Sequence, residues 1–469
     1  MTEPTVSLTT AYPPRRAIAA WVMFDWSAQP FFTLVTTFVF APFFAAAIAS
    51  SPENGQAFWG YATGFAGLCI AVLSPVLGAI ADQGGARKPW IAAFGVMLVI
   101  GCALLWFAVP GSPYAVPIAL TGYSIALVGA EFAGVFNNAM MPTLVPAEKI
   151  GRLSGTGWAI GYLGGLVSLV LTLGFLAANP ETGQTMLGFS PAFGLDPLTR
   201  EGDRATGPLS ALWFVIFVMP MFLLVPDKPR QMAFGPAVTS GLQRLKQTLG
   251  SLSDKPALAR FLLANMIYAD ALVALFAFGG IYATGTFGWG TIQIGIFGIL
   301  IMVTGTLGAW LGGKLDDYLG SKTVIVGSLV ILIVMCAGIM GTTRDTILFV
   351  FPSFLPQPGN ELFSTGAERV YLLLGVFIGL VAGPVQAASR SLLIRLAPKE
   401  DIGQYFGLFA LSGKVTSFIG PVLVAVITQV SGSQRAGLVV LIVMFGAGLV
   451  LLRRLHTDEA VSLARRPRS

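Results

Sequence analysis

Twelve stretches of this chain stay apolar for roughly the 20 residues an α-helix needs to cross a bilayer. No other feature limits its fold as sharply. They lie near 18–49, 56–81, 90–109, 117–142, 154–178, 208–226, 258–284, 291–312, 323–341, 369–394, 404–430 and 436–452. Hydrophobic residues make up 55% of the 469 and charged residues 11%, with a mean hydropathy of +0.77. Soluble domains carry roughly 25% charged residues, so these are too few to coat a water-facing surface of this size. Lipid must be the solvent for much of the chain. The expected fold class is an all-α membrane protein of twelve transmembrane helices. The first stretch is too long for a cleaved signal peptide, and Asp25, Gln29 and Pro30 interrupt what would be its apolar region.

A net charge of +6 and a pI near 9.3 are compatible with nucleic acid as a partner, but the basic residues sort by side of the membrane. One side receives Arg15, Arg16, Arg87, Lys88, Lys149, Arg152, the cluster Lys228, Arg230, Arg244, Lys246, Lys255 and Arg260, then Lys314, Lys322, Arg390, Arg395, Lys399, Arg453, Arg454, Arg465, Arg466 and Arg468. The other receives Arg200, Arg204, Arg344, Arg369 and Arg435. By the positive-inside rule both termini and the long middle loop are cytoplasmic, and no nucleic acid is needed to explain the pI. The middle loop divides the chain into an N-terminal bundle (1–226), a linker (227–257), and a C-terminal bundle with a basic tail (258–469). Within the linker, Val238, Leu242, Leu245, Leu249 and Leu252 recur at helical steps beside Arg244 and Lys246. Two readings fit this stripe: an amphipathic helix on the inner leaflet, or a helix packed under the bundle. The loops 179–207 and 342–368 on the other side read as exposed connections.

The two halves repeat each other. GAIADQGGARK after the second stretch carries Gly78, Asp82, Gly85, Arg87 and Lys88. GKLDDYLGSK after the eighth carries Gly313, Asp317, Gly320 and Lys322 at matching spacings, 235 residues on. A second pair, PAEKIGRLSG from Pro146 and PKEDIGQYFG from Pro398, repeats at an offset of 252. Such self-similarity marks duplication, hence two pseudo-symmetric six-helix bundles. Gly78 and Gly313 permit close helix approach, and Gly85 and Gly320 a tight turn. Asp82 and Asp317 sit at helix ends, where each can face the positive N-terminus of a helix from the other half. The basic residues hold the turn at the inner face.

The GxxxDxxGxRK pattern, with its weaker second copy, resembles the signature of the major facilitator superfamily, and the whole chain fits that twelve-helix plan. FDWSAQPFFTLVTTFVFAPFF, GAIADQGGARKPW and NNAMMPTLVPAEKIGRLSGTGWAIGYLGG resemble, more narrowly, its vacuole-effluxer-like branch. Eukaryotic members of that branch are associated with amino-acid efflux. The resemblance implies a central cavity, alternating access, a monomer, and a location in the bacterial inner membrane. Gly157, Gly161 and Gly165 are partly similar to the superfamily's antiporter motif, with Tyr162 where Pro is expected.

Ionisable groups inside a membrane span are costly and so mark function. Asp25 lies in the first stretch with Gln29 one turn on, and Pro30 frees a backbone carbonyl nearby. Asp270, with Asn265 and Tyr268, holds the roughly corresponding place in the seventh. The resemblance puts both helices on the cavity, and Asp25 reads either as a proton or amine site or as a structural partner of a neighbouring helix. Glu131, followed by Asn137 and Asn138, lies in the fourth stretch and Lys414 in the eleventh. Being of opposite charge and in opposite bundles, Glu131 and Lys414 form either a gate or two separately neutralised groups. Arg390 aligns with Asn138 at the 252 offset and reads as an inner-face anchor or as the binding site of an anionic group. Trp21, Trp26, Trp59, Trp158 and Trp289 read as interfacial belt or cavity wall, with Trp26 and Tyr268 nearest the acidic positions.

These residues weigh the function classes. The leading reading is a secondary transporter of a small solute, with amino-acid-like metabolites favoured by the resemblance and coupling to protons through Asp25, Glu131 or Asp270. The alternatives are a non-transporting sensor or scaffold and a lipid or drug exporter. A membrane enzyme fits poorly. The single His456 lies in the tail, and Cys69, Cys102 and Cys336 sit in apolar stretches without CxxC spacing. No GxxxxGK[ST] loop is present to bind ATP. No metal or cofactor is expected. The partners are solute, protons and membrane lipids.

Overall fold

A computed structural model describes residues 12–250, 252–289, 291–353, 362–414, 416 and 419–455; His456 lies outside them. Among the described residues, eleven helices are long and apolar enough to span a membrane. The first six are Arg15–Ile48, Phe58–Gly84, Lys88–Phe107, Ala115–Leu144, Ala147–Leu176 and Glu201–Leu224. Pro256–Phe287, Gln293–Leu319, Ser321–Met340 and Gly366–Leu396 are the seventh to tenth, and Gln434–Arg453 is the last. Where the sequence predicts a continuous eleventh span, two shorter helices follow one another, Ile402–Lys414 and Ile419–Ser431. Pro421 has no N–H for the carbonyl four residues back and its ring crowds that carbonyl, so an unbroken helix is disfavoured there. Tyr61, Phe65, Leu212, Leu223 and Val443 are more than half exposed, which suits a surface that meets lipid. The departures from helix are small: a two-residue strand pair, Thr346–Ile347 with Phe351–Pro352, in the long loop before the tenth span, and a single bridge between Ala178 and Thr185.

The duplication read in the sequence recurs in the packing. In the first half, span 1 packs on spans 5 and 6, span 4 on spans 2 and 3, and span 3 on span 6. In the second half, span 7 packs on spans 11 and 12, span 10 on spans 8 and 9, and span 9 on span 12. Spans 5 and 8 join the halves on one side and spans 2 and 11 on the other. Both junctions cross on glycines. A methyl on Gly155 would overlap the Ala309 carbonyl and lie 2.6 Å from Gly313 Cα. One on Gly407 would overlap the Ser74 carbonyl and lie 2.7 Å from Pro75 Cα. Gly155 and Gly407 are equivalent at the 252 offset, as are Ser74 and Ala309 at 235.

The acidic motif fastens these crossings at the face that carries the basic loops. Asp82 accepts the backbone N–H groups of Gly403 (3.0 Å) and Gln404 (2.8 Å), at the start of the eleventh span. Asp317 accepts the N–H of Arg152 at 3.1 Å, at the start of the fifth. Each carboxylate thus satisfies amides that a helix start leaves free and meets the positive end of that helix. Arg87 departs from its expected place at the membrane face. It is 2% exposed and donates to Asp82 at 3.0 Å. Its own N–H and that of Lys88 are capped by Asp227 at 3.0 and 2.9 Å, and the Lys88 ammonium binds the Phe222 carbonyl at 2.8 Å. In the second copy, Lys322 binds the Leu455 carbonyl at 2.6 Å. The buried charge beside the motif there is Arg395, on Asp316 at 2.8 Å. Gly85 and Gly320 adopt φ of +86° and +85°, a region an L side chain rarely enters.

The linker helix, Phe234–Gly250, packs under the second span. Ala237, Gly241, Leu245 and Thr248 are its buried residues, and a methyl on Gly241 would come within 2.9 Å of the Ile80 backbone. Arg244 makes a bidentate bond to Asp401 at 2.9 and 3.0 Å. Leu242 and Leu249 stay exposed.

Two outcomes test this clasp. Removing one member of a buried ion pair costs about 3–5 kcal/mol, whereas removing both costs less. Asp82→Ala is therefore expected to lower the melting temperature in detergent more than Asp82→Ala with Arg87→Met; equal losses would show that the pair is not coupled. Gly155→Ala or Gly407→Ala is expected to push the crossings apart. Hydrogen exchange at the Arg152 or Gln404 amide should then quicken about tenfold for each 1.4 kcal/mol lost, and unchanged exchange in both variants would contradict it.

Candidate functional site

Further into the membrane, one guanidinium joins the halves. Arg390 lies on the tenth span, its side chain 6% exposed. Its Nε donates to Ser154 Oγ at 2.9 Å, and Nη2 donates to the Ser154 carbonyl at 2.7 Å. Nη1 donates to Asn138 Oδ1 at 2.8 Å and reaches Asp25 Oδ2 at 3.5 Å. Ser154, on the fifth span, returns a bond from its hydroxyl to the Ala387 carbonyl of the tenth at 2.7 Å. The rings of Trp21 and Trp158 lie 5.7 and 5.8 Å from the guanidinium carbon, within the range of cation–π attraction. Trp21 is fixed in turn by a bond from its indole N–H to the Asn137 carbonyl at 2.9 Å.

The alignment that paired Arg390 with Asn138 has a geometric meaning here. Equivalent residues of two repeats touch only where the pseudo-two-fold axis passes between them. Arg390 and Asn138 are 252 residues apart and hydrogen-bonded, so this site lies on the axis about which the halves are related. Arg390 is buried and makes its bonds across the interface between the halves.

Asp25 is more accessible than Arg390, with its side chain 20% exposed. It has room because the fifth span carries glycine opposite it. A methyl on Gly157 would overlap Asp25 Oδ2 and lie 3.1 Å from Arg390 Nη2, and one on Gly161 would lie 3.5 Å from Gln29 Oε1. The glycines that are partly similar to an antiporter motif thus make space for Asp25 and Gln29. Tyr162, in the Pro position of that motif, accepts a bond from Gln386 of the tenth span at 3.0 Å, a further link between the halves. The first span is shaped by Pro30. A residue at 30 with an N–H would bond the Trp26 carbonyl; that carbonyl accepts instead from the Trp213 indole at 3.1 Å. Beyond Pro30 the helix widens into π-type turns over Phe31–Phe38.

The other predicted residues fall elsewhere. Asn265 donates to Ser412 at 3.2 Å, and Tyr268 shares a 2.6 Å bond with Ser389. Asp270 is 2% exposed, and its backbone would meet a methyl placed on Gly420. These contacts of the seventh span are made inside the second half, and Ser389 is the chain neighbour of Arg390. Asp270 Oδ1 has no hydrogen-bond partner among the described residues. The same holds for both side-chain polar atoms of Asn137, a residue that is 0% exposed. Glu131 is half-buried on the fourth span. The side chain of Lys414 lies outside the described residues, and with it the pairing of Glu131 and Lys414. Trp26 stacks on Trp213 at 5.5 Å inside the first half. Trp21 and Trp289 are buried at 0% and 2%.

Sequence reasoning missed Ser154, Asp227 and Asp316. Ser154 carried no charge to flag it. Asp227 stands at the end of the sixth span, where an acid opposes the positive-inside pattern. Asp316 is the first acid of the DD pair whose second member was read as the motif.

Comparison with known proteins follows this geometry. The family model described as "Vacuole effluxer Atg22 like" matches residues 45–464. The "Uncharacterized MFS-type transporter YxiO" of Bacillus subtilis (strain 168) is 27% identical over 439 residues, covering 92% of this chain and 93% of that protein. "Autophagy-related protein 22" of Cryptococcus neoformans var. neoformans serotype D (strain JEC21 / ATCC MYA-565) is 27% identical over 332 residues, 68% of this chain. The chain spans 53% of that fungal relative's length. Among solved structures, the transporter FucP in the outward conformation superposes with a TM-score of 0.67 at 14% identity, covering 94% of this chain and 98% of that one. The human organic anion transporter MFSD10 gives 0.66 at 15% identity, over 94% and 100%. The fold is that of the major facilitator transporters, and the chain belongs to the Atg22-like vacuole effluxer family.

Proposed function

We propose that this protein exports a small zwitterionic solute of the amino-acid kind by alternating access, with Arg390 and Asp25 as the paired charges that bind it. The observation that carries this reading is the Arg390–Asp25–Asn138–Ser154 network on the axis between the halves. A guanidinium and a carboxylate side by side can offer opposite charges to the two ends of a zwitterion. The 3.5 Å contact to Asp25 is the longest of the four, so a solute ammonium can take Asp25 while Arg390 turns to the solute carboxylate. The family description names effluxers, which supports the direction. The positive-inside pattern supports a basic face on the cytoplasmic side of a bacterial inner membrane, with both termini there. Because the junctions described above fasten that face, this conformation is the one closed toward the cytoplasm.

Proton coupling follows from the same carboxylate. Protonating Asp25 removes its charge contact with Arg390 and frees the guanidinium for an anionic group, so proton entry and solute release can alternate at one site. This chemistry uses only residues of the chain.

The test is transport in proteoliposomes against a panel of amino acids. A hydrogen bond to a charged group contributes about 1.5–3 kcal/mol, so Arg390→Gln and Asp25→Asn are each expected to slow transport by roughly ten- to a hundredfold. Arg390→Lys should fail as well, because a point charge cannot make the fork of bonds to Ser154 and Asn138. Wild-type rates in Arg390→Gln would overturn the assignment. With coupling, an imposed pH gradient drives uphill movement that Asp25→Asn abolishes; indifference to the gradient would leave a uniporter.

A further inference from the structure

On the basic face, a cavity of about 420 Å³ opens between the linker helix, the end of the second span and the turn before the eleventh. Asp82 and Gln83 line it from the first half, Lys228, Gln243 and Gln247 from the linker, and Glu400 from the second half. Most of the charges around it are already paired. Asp82 is held by Arg87 and two backbone amides, and Asp401, also on the wall, by Arg244. Two charges are not. The side chains of Lys228 and Glu400 have no hydrogen bond or ion pair among the described residues, and both line the same cavity. Burial pushes the Lys228 ammonium below the ordinary lysine range, and Arg87 nearby adds to this, while Asp82, Glu400 and Asp227 oppose it.

An unpaired cation from the linker and an unpaired anion from the second half in one cavity, with amide side chains around, complement a small molecule that carries both charges. We propose that this cavity is a regulatory site for a small zwitterion, such as a free amino acid, with its carboxylate on Lys228 and its ammonium on Glu400. The walls belong to both halves and to the linker, so the cavity exists only while the basic face is shut. A molecule that binds one of two states shifts the balance toward it by its difference in affinity. Occupancy therefore holds the clasp closed, a consequence that rests on the alternating-access reading, whereas binding itself does not. The site is separate from Arg390, so a solute can be recognised twice, once as cargo and once as a brake.

The experiment uses purified full-length protein in detergent and a panel of L-amino acids, each with its C-terminal amide and its N-acetyl derivative. The readout is hydrogen exchange at the Gly403 and Gln404 amides that Asp82 accepts. At a concentration ten times the dissociation constant, at least one amino acid should slow this exchange about tenfold, and neither of its singly charged derivatives should. Lys228→Gln and Glu400→Gln should each abolish the effect, while Arg390→Gln and Asp25→Asn should keep it. An effect from no amino acid overturns the proposal. So does an effect that survives Lys228→Gln and vanishes in Asp25→Asn, which would place binding at the central site. Failure of transport in proteoliposomes would leave this exchange result untouched, so the two readings fail separately.

Discussion

A guanidinium cannot rest in hydrocarbon without partners, and the middle of this protein is arranged around that constraint. An arginine at the centre of a span costs about 2.5–3.5 kcal/mol on insertion scales, and its planar fork satisfies itself only with acceptors placed to match. Arg390 finds them on three other helices: Ser154 on the fifth span, Asn138 on the fourth and Asp25 on the first. All three belong to the half that does not carry it. Any motion that parts the halves must replace these bonds. A polar solute can supply the replacements, and lipid cannot. The network thus ties conformational change to the presence of something polar between the bundles.

The clasp at the basic face works by a different economy of contacts. Asp82 and Asp317 bind backbone amides at helix starts, groups that every helix leaves free and that need no particular side chain opposite them. This explains how a motif contained in one loop can fasten to the other half without a complementary motif there. What the partner must supply is close approach, and the glycines at 151, 155, 403 and 407 provide it. Water can take over the same amides and carboxylates when the halves part, so opening costs little beyond the buried contacts. Such a junction is strong enough to define a state and weak enough to leave it.

Local pattern and repetition made much of this legible. Span positions follow from apolar length, and the role of Asp82 follows from its place at a helix end beside a tight turn. The second copies then gave the symmetry, and with it the alignment of Arg390 with Asn138. Contacts between distant segments were not legible. Ser154 meets Arg390 across 236 residues, Asp227 meets the Arg87 amide across 140, and Trp213 meets the Trp26 carbonyl across 187. The linker helix shows why periodicity alone misleads. Its large residues suggested a face through Val238, Leu242, Leu245, Leu249 and Leu252; Leu245 is buried, but Leu242 and Leu249 stay exposed while Ala237 and Gly241 are buried, because small side chains let the helix approach Ile80 more closely. The bonding of the seventh span was not legible either: Asn265 and Tyr268 bond to Ser412 and Ser389 of their own half. Sequence equivalence fixes depth in the membrane but not the rotation of a helix about its axis.

The two clasps are related by symmetry but differ in their contacts. At spans 2 and 11, Asp82 accepts two amides and a buried Arg87, and the linker adds Arg244 on Asp401 one turn away. At spans 5 and 8, Asp317 accepts one amide and its contact with Arg152 is 3.5 Å long with that arginine 61% exposed, while Arg395 binds the neighbouring Asp316 at 2.8 Å and lies 3.8 Å from Asp317. An exposed pair contributes little, about 0–1 kcal/mol, whereas the buried one is costly to break. Both junctions share one plan, and the linker adds an ion pair to one of them. The fifth span also carries Ser154, which gives Arg390 two of its bonds, so one helix takes part both in the junction at the basic face and in the central network.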